Sequence, residues 1–168
     1  MTDANGRSPL HFAVWHGNHI LVKMLLTEKV DVRIPDILGG TSLHTAAWYG
    51  HSRVVKMLLD ASADVMLQDT EGYAPLHGAA LNRHGKIVEM LVKAKAYHTL
   101  QNKYVVTALD LAVLNEHYEI ASTLVRATRN ANTSWDDAQV RNSSSYGDVG
   151  LYPDNFLSNV TPSTSARP

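Results

Sequence analysis

The sequence predicts an all-α fold, a solenoid of four helix–turn–helix units with short hairpin-like turns, followed by a flexible C-terminal tail. Three observations lead to this prediction. Four segments align without a gap at a period of 33 residues, and each carries a leucine at the same place: Leu10, Leu43, Leu76 and Leu109. A second, apolar block recurs in the same register, and the periodicity ends after residue 127. A repeat domain is therefore expected over residues 1–127, with units at about 3–35, 36–68, 69–101 and 102–127.

The first helix of each unit is predicted from its capping residues. Three of the four aligned segments open with a good N-cap, namely Ser8, Thr41 and Thr107. Pro9 and Pro75 stand at the first helical position, where a missing N–H group costs nothing. These helices are therefore expected to begin at the start of each aligned segment.

The same helices are predicted to end at a residue with a left-handed backbone. Gly17 and Gly50 supply that residue in units one and two. Arg83 and Glu116 stand at the same position in units three and four, where a side chain makes a left-handed cap less favourable.

The second helix of each unit presents a broad Leu/Val/Met face, at residues 21–26, 54–59, 87–92 and 120–125. The turns that follow begin at Asp36 and Asp69, three residues before a glycine, as a tight turn requires. In unit four the glycine is replaced by Val105. Each unit is too small to bury its apolar face alone, so stability is expected to come from stacking of neighbours.

The aligned segments resemble the ankyrin-repeat family. Its Thr-Pro-Leu-His-x-Ala motif, with a 33-residue period, is matched at four successive positions over residues 3–127. The resemblance implies a turn and two antiparallel helices per repeat, stacked into a curved solenoid. It also implies that the histidines of the motif, His11, His44 and His77, hydrogen-bond the turn backbone.

Repeat one opens like an internal repeat, and its second helix, at residues 20–26, is as apolar as the others. We therefore expect either that the chain is a fragment or shortened isoform of a longer array, or that a partner covers this end. The array itself is expected to be monomeric or continuous with further repeats.

Composition narrows the class of protein. With 15 Lys+Arg against 16 Asp+Glu the formal charge is −1, which argues against nucleic acid as the main partner. The absence of cysteine excludes disulfides, thiol nucleophiles and Cys-ligated zinc. No apolar run approaches the roughly 20 residues that a membrane helix needs, and the first residues are not a signal peptide. We expect an intracellular protein of the cytoplasm, with the nucleus as the alternative, and no membrane insertion.

Neither catalysis nor a cofactor is predicted. No phosphate-binding glycine loop, His-Glu-x-x-His motif or nucleophilic Ser elbow is present. The chain has nine histidines, but those at equivalent repeat positions should lie about 8–10 Å apart, whereas zinc ligands lie at about 2.0–2.1 Å from the ion. His16 and His19 have no third ligand in view. A metal site is therefore not expected, and the recurring Asp36 and Asp69 are assigned to the turns.

A partner surface is predicted at the turn tips and at the outward side of each first helix, on the concave face of the solenoid. None of these positions is needed for the repeat core, yet several are aromatic or aliphatic, the residue types enriched at binding hot spots and in exposed interaction patches. The candidate residues are Trp15, His16, Ile37, Leu38, Trp48, Tyr49, Tyr73, Leu81, Asn82 and Tyr104. The alternative is that Trp15 and Trp48 fill gaps between turns and helices.

The function predicted from this surface is that of a protein-interaction module or adaptor that docks a peptide or a domain, centred on repeats two and three. The alternative is a targeting or inhibitory subunit of an enzyme such as a kinase, a phosphatase or a ubiquitin ligase. Residues 128–168 are rich in Ser, Thr and Asn and read as a flexible tail. Its aromatic residues, such as Trp135 and Phe156, are either scattered or form a short docking motif.

Overall fold

The computed structural model describes residues 2–132, in which eight α-helices follow one another in pairs. The first helices of the pairs are α1 (Pro9–Trp15), α3 (Ser42–Trp48), α5 (Pro75–Leu81) and α7 (Ala108–Leu114). The second helices are α2 (His19–Thr27), α4 (Ser52–Asp60), α6 (Gly85–Lys93) and α8 (Tyr118–Asn132). Apart from an isolated β-bridge between Gln101 and Thr107, the rest of this part of the chain forms turns and loops. The predicted all-α repeat fold is confirmed.

The helix pairs form two layers. Each first helix packs on the first helix of the next repeat, and each second helix on the next second helix. The leucines of the aligned segments and the apolar faces of the second helices meet between the layers, where Leu43, Leu58, Leu76 and Leu91 are at most 1 % exposed. The core is therefore continuous across repeats, as expected for units that cannot bury their apolar faces alone.

The predicted N-caps Ser8, Thr41 and Thr107 are confirmed, and a histidine completes the cap in the first three repeats. In repeats one to three the backbone N–H of Ser8, Thr41 or Ala74 donates to Nδ1 of the histidine three residues later, at 3.0–3.1 Å. Repeat four uses Asp110 instead, whose carboxylate accepts from the N–H and the hydroxyl of Thr107.

The other ring nitrogen of each motif histidine bonds a backbone carbonyl, which for His11 and His44 belongs to the next repeat. Nε2 of His11, His44 and His77 lies 3.0–3.2 Å from the carbonyl oxygen of Gly40, Tyr73 and Leu100, respectively. Since Nδ1 accepts from a backbone N–H, the proton must be on Nε2 and the ring is neutral. The expected structural role of these histidines is confirmed.

The turns share one construction. Asp36 and Asp69 each accept two backbone N–H bonds on Oδ1, and Asn102 does the same in repeat four. Gly39 and Gly72 have φ of 77° and 82°, the left-handed conformation that glycine adopts without strain. The recurrence of Asp36 and Asp69 is thus explained by turn chemistry.

Repeats three and four keep the left-handed positions without glycine. Arg83 and Glu116 have φ of 61° and 58°, like Gly17 and Gly50 in the first two repeats, and Val105 has φ of 62°. For a β-branched residue such as Val105 this conformation is strained. Stacking of the helices therefore imposes the repeat geometry even where the local sequence opposes it.

Helix α8 continues to Asn132, beyond residue 127, where the repeat domain was expected to end. Residues 126–132 contain neither glycine nor proline, so neither helix-breaking residue stops the helix there. The remainder of the predicted tail, with its aromatic residues, lies outside the described residues. None of the described helices is long and apolar enough to cross a membrane.

Candidate functional site

The ten predicted partner-binding residues differ in their exposure. Trp15, His16, Ile37, Leu38, Tyr49 and Tyr104 are exposed, and Trp48, Leu81 and Asn82 are half-buried. Tyr73 is buried, with only 8 % of its surface exposed. The exposed residues lie at the ends of the first helices and at the tips of the turns.

The expectation that Tyr73 is exposed is wrong. Its backbone is held on both sides, because its N–H donates to Asp69 and its carbonyl accepts from His44. The ring is buried, and its centroid lies 5.6 Å from that of His77, with the two ring planes at 75°. The equivalent Val106 is also buried, so an apolar residue directly after the turn glycine position was the available signal.

Trp48 is half-buried, so its side chain contributes both to the surface and to the packing between repeats. Its Cε3 lies only 3.2 Å from the place that a Cβ on Gly78 would take. The small residue in α5 therefore makes room for the indole, and the gap-filling interpretation applies to this part of Trp48. Asn82 is likewise engaged, since its side-chain amide donates to the Gly78 carbonyl at 3.0 Å.

Four aromatic rings form a contiguous group, which we call the aromatic cluster: Trp15, His16, Tyr49 and His51. The rings of Trp15 and Tyr49 stack with centroids 6.4 Å apart and an interplanar angle of 22°. Tyr49 stacks in turn on His51 at 6.2 Å, and His16 lies 6.3 Å from Trp15. The cluster is formed by repeats one and two, whereas the partner surface was expected to be centred on repeats two and three.

A cation borders the aromatic cluster. The guanidinium carbon of Arg7 lies 5.2 Å from the centroid of Phe12 and 5.5 Å from that of Trp15, within the range of cation–π attraction. Arg7 is also paired with Asp3 at 3.2 Å. Sequence reasoning did not select Arg7, Phe12 or His51 for the site. Directly after the turn glycine position, repeats two to four have Gly40, Tyr73 and Val106, whereas repeat one has the cation Arg7. This difference was the signal available in the sequence.

A side chain–backbone hydrogen bond joins repeats one and two at the cluster. Nε2 of His51 hydrogen-bonds the carbonyl of Trp15 at 3.2 Å, which fixes the end of α1 against the start of α4. A Cβ on Gly17 would lie 2.7 Å from the His51 ring. Gly17 thus adopts its left-handed backbone without strain and leaves the room that His51 occupies.

On the turn tips, Ile37 and Leu38 are more than 60 % exposed. The hydroxyl of Tyr104 donates to Glu71 at 3.0 Å, and this carboxylate raises the pKa of Tyr104 by hydrogen bonding and by repelling the phenolate. Lys103 pairs with the same carboxylate. The turn tip of repeat four thus combines this polar network with the exposed apolar side chain of Val105.

The described residues offer no cluster of three or more His, Cys, Asp or Glu side chains that could hold a metal ion. The motif histidines are already committed to backbone partners through both ring nitrogens. Burial lowers the pKa of His44 and of His77 below the ordinary value of 6.5, against the raising effects of Asp69 and of the Leu100 carbonyl. This favours the neutral rings that their hydrogen bonds require.

Comparison with known proteins agrees with this architecture. A family model described as ankyrin repeats (3 copies) matches residues 1–69 and 61–134. A search of curated proteins found no match.

Proposed function

Because this chain belongs to the ankyrin-repeat family, whose arrays are generally protein–protein interaction modules, we propose that it binds a protein partner through the aromatic cluster. The observation that carries the proposal is the stacked pair of Trp15 and Tyr49. Both rings are more than one-third exposed, although each is large enough to be a core residue.

The chemistry of the surface favours a peptide or a protein domain as the partner. Trp, Tyr and Arg are the residue types most enriched at binding hot spots, and here all three lie side by side. The rings are held by their stacking and by the backbone bond from His51, so little side-chain entropy is lost when a partner docks. Ile37 and Leu38 are further exposed apolar side chains, on the turn that precedes α3.

The repeat core does not depend on this surface. The side chain of Tyr49 contacts Trp15 and His51, while the buried residues of α3 are on its other side, at Leu43, Ala46 and Ala47. A change at Tyr49 is therefore expected to alter binding and leave the fold intact.

The test compares partner capture by the wild-type chain and by Tyr49→Ala. We expect the variant to bind its partner about 30-fold more weakly, which corresponds to about 2 kcal/mol at a hot spot. The matched control is Tyr97→Ala, which removes a tyrosine that is 63 % exposed and lies beyond the end of α6, away from the cluster. Its partner binding should be unchanged.

Captured proteins are identified by mass spectrometry, and each variant is checked by circular dichroism. Full affinity in a correctly folded Tyr49→Ala protein would contradict the proposal. Catalytic activity in the captured material would indicate that the module is the targeting or inhibitory subunit of an enzyme.

A further inference from the structure

The aromatic cluster contains hydrogen-bond donors without partners. Trp15 ends α1 and Tyr49 directly follows α3, so the stacked pair spans the junction between repeats one and two, both of which the structure contains. Within the described part of the chain, neither the indole Nε1–H of Trp15 nor the hydroxyl of Tyr49 has a hydrogen-bond partner. Trp15 is 38 % exposed and Tyr49 is 39 % exposed, so both side chains are open to a ligand.

The main chain at the end of α1 is, in contrast, already engaged. A helix leaves its last four carbonyls without partners inside the helix, yet all four of these carbonyls in α1 accept a hydrogen bond. Phe12 accepts from the N–H and from Nδ1 of His16, and Trp15 accepts from Nε2 of His51. The two carbonyls between them accept from N–H groups of the loop that follows. A partner therefore meets the ring faces and the side-chain donors, and no unpartnered carbonyl of this helix end.

Proline is the residue whose chemistry fits such a surface. Its compact apolar ring packs on aromatic side chains in the grooves that recognise Pro-rich segments. Proline has no N–H group and so needs no acceptor, while the carbonyls of a polyproline II helix make no internal bonds and can accept from an indole or a phenol. Such a segment is also ordered before it binds, which keeps the entropic cost of docking low on a surface of a few rings.

The spacing of the rings agrees with the spacing of such a segment. The centroids of Trp15 and Tyr49 are 6.4 Å apart, and their planes are within 22° of parallel. A polyproline II helix rises about 3.1 Å per residue, so two prolines separated by one residue are about 6.2 Å apart along its axis. Because this helix has three residues per turn, both prolines lie on one of its three faces. In a Pro-x-Pro sequence each proline can thus contact one ring.

We propose that the aromatic cluster binds a proline-rich segment of a partner protein. The two prolines of a Pro-x-Pro sequence lie on Trp15 and Tyr49, and carbonyls of the segment accept from the indole N–H and the phenol hydroxyl. This inference rests on the proposed function, because it names the chemistry of the partner at the same surface.

The test titrates decaproline into the isotope-labelled full chain and follows the indole N–H signals by NMR. We expect saturable binding and a downfield shift of the Trp15 indole proton, as a new hydrogen bond produces. The matched probe is a peptide of the same length with alternating glycine and serine, which has carbonyls but neither proline rings nor a preformed helix. It should bind at least about tenfold more weakly, because it must be ordered on binding.

Variants separate the contribution of the rings from that of the donors. Tyr49→Phe keeps the ring and removes only the hydroxyl, so it should weaken decaproline binding about threefold to tenfold. Trp15→Phe removes the indole N–H and should weaken binding at least as much, whereas Tyr49→Ala, which removes the whole ring, should weaken it at least about tenfold. The control Tyr97→Ala changes an exposed tyrosine beyond the end of α6 and should bind like the wild type.

The inference is overturned if decaproline does not bind saturably, if the Gly-Ser peptide binds as well, or if Tyr49→Phe and Trp15→Phe, both folded by circular dichroism, keep full affinity. Should Trp15→Phe fail to fold, Tyr49→Phe decides alone. The proposed function is decided separately, by partner capture with Tyr49→Ala. Loss of capture in that variant, with no binding of decaproline by the wild type, would show a docking surface for a partner of other chemistry. Unchanged capture would contradict the proposed function whatever decaproline does.

Discussion

Replacement of Val105 by glycine is expected to stabilise the protein. Val105 has φ of 62°, and a side chain in the left-handed region costs about 1–2 kcal/mol. Its side chain is 67 % exposed, so little buried surface is lost on its removal. Glycine costs about 0.5–1 kcal/mol in extra entropy of the unfolded chain. The net gain should be about 0.5–1 kcal/mol, or roughly 2–4 °C in the thermal midpoint.

The assay is urea denaturation followed by circular dichroism, with thermal melts as a second measurement. Val113→Gly is the matched control, because Val113 is also exposed but lies inside α7. There the same substitution should destabilise the protein by about 0.5–1 kcal/mol. If Val105→Gly lowers the free energy of unfolding as Val113→Gly does, the assignment of strain at Val105 is refuted.

Two further predictions concern stability. Gly50→Ala should lower the free energy of unfolding by at least about 1–2 kcal/mol in chemical denaturation, because Gly50 has φ of 79° and a Cβ would lie 2.5 Å from the ring of His84. The control Gly85→Ala should be neutral or stabilising, since its Cβ would have no neighbour closer than 3.8 Å. Equal effects of the two changes would contradict the argument. The free energy of unfolding should reach its full value above about pH 6.5 and decrease as the pH falls below that value. Burial lowers the pKa of His44 and of His77 in the folded state, so the unfolded chain takes up protons at a higher pH than the folded chain does. Denaturation between about pH 7.5 and 5.5 measures how the free energy of unfolding changes with pH. This dependence should be smaller in a His44→Gln/His77→Gln variant and should persist when the exposed His16 is changed to Gln. A free energy of unfolding that is independent of pH over this range would refute the prediction.

The fold could be predicted almost entirely from the sequence because its determinants are local and recur four times. The caps at Ser8 and Thr41, the turn aspartates and the glycine ends of the first helices each have a direct chemical meaning. The exceptions arise where stacking overrides local preference. Arg83, Val105 and Glu116 adopt left-handed backbones that their own side chains disfavour, and only the neighbouring repeats explain why.

The candidate site was less predictable. Exposure of Trp15 and Tyr49 follows from their place in the repeat, but the stacking between them depends on side-chain directions that the register does not fix. Tyr73 shows the same limit. It directly follows the turn glycine, and the repeat register does not reveal that a ring at this position lies against His77 and not in solvent. The contribution of Arg7 depends on a contact across the entry to α1 that no spacing rule encodes.

The bonds that His11 and His44 make to the next repeat end on main-chain carbonyls, at Gly40 and Tyr73. At this point the contact between neighbouring units therefore does not depend on the side chain that carries the acceptor. Insertion of one complete 33-residue block between two units would present the same donors to the same acceptors, whereas insertion of a partial block would not. A gene that encodes such repeats can therefore gain or lose whole periods, while the residues at the turn tips of the protein are free to vary.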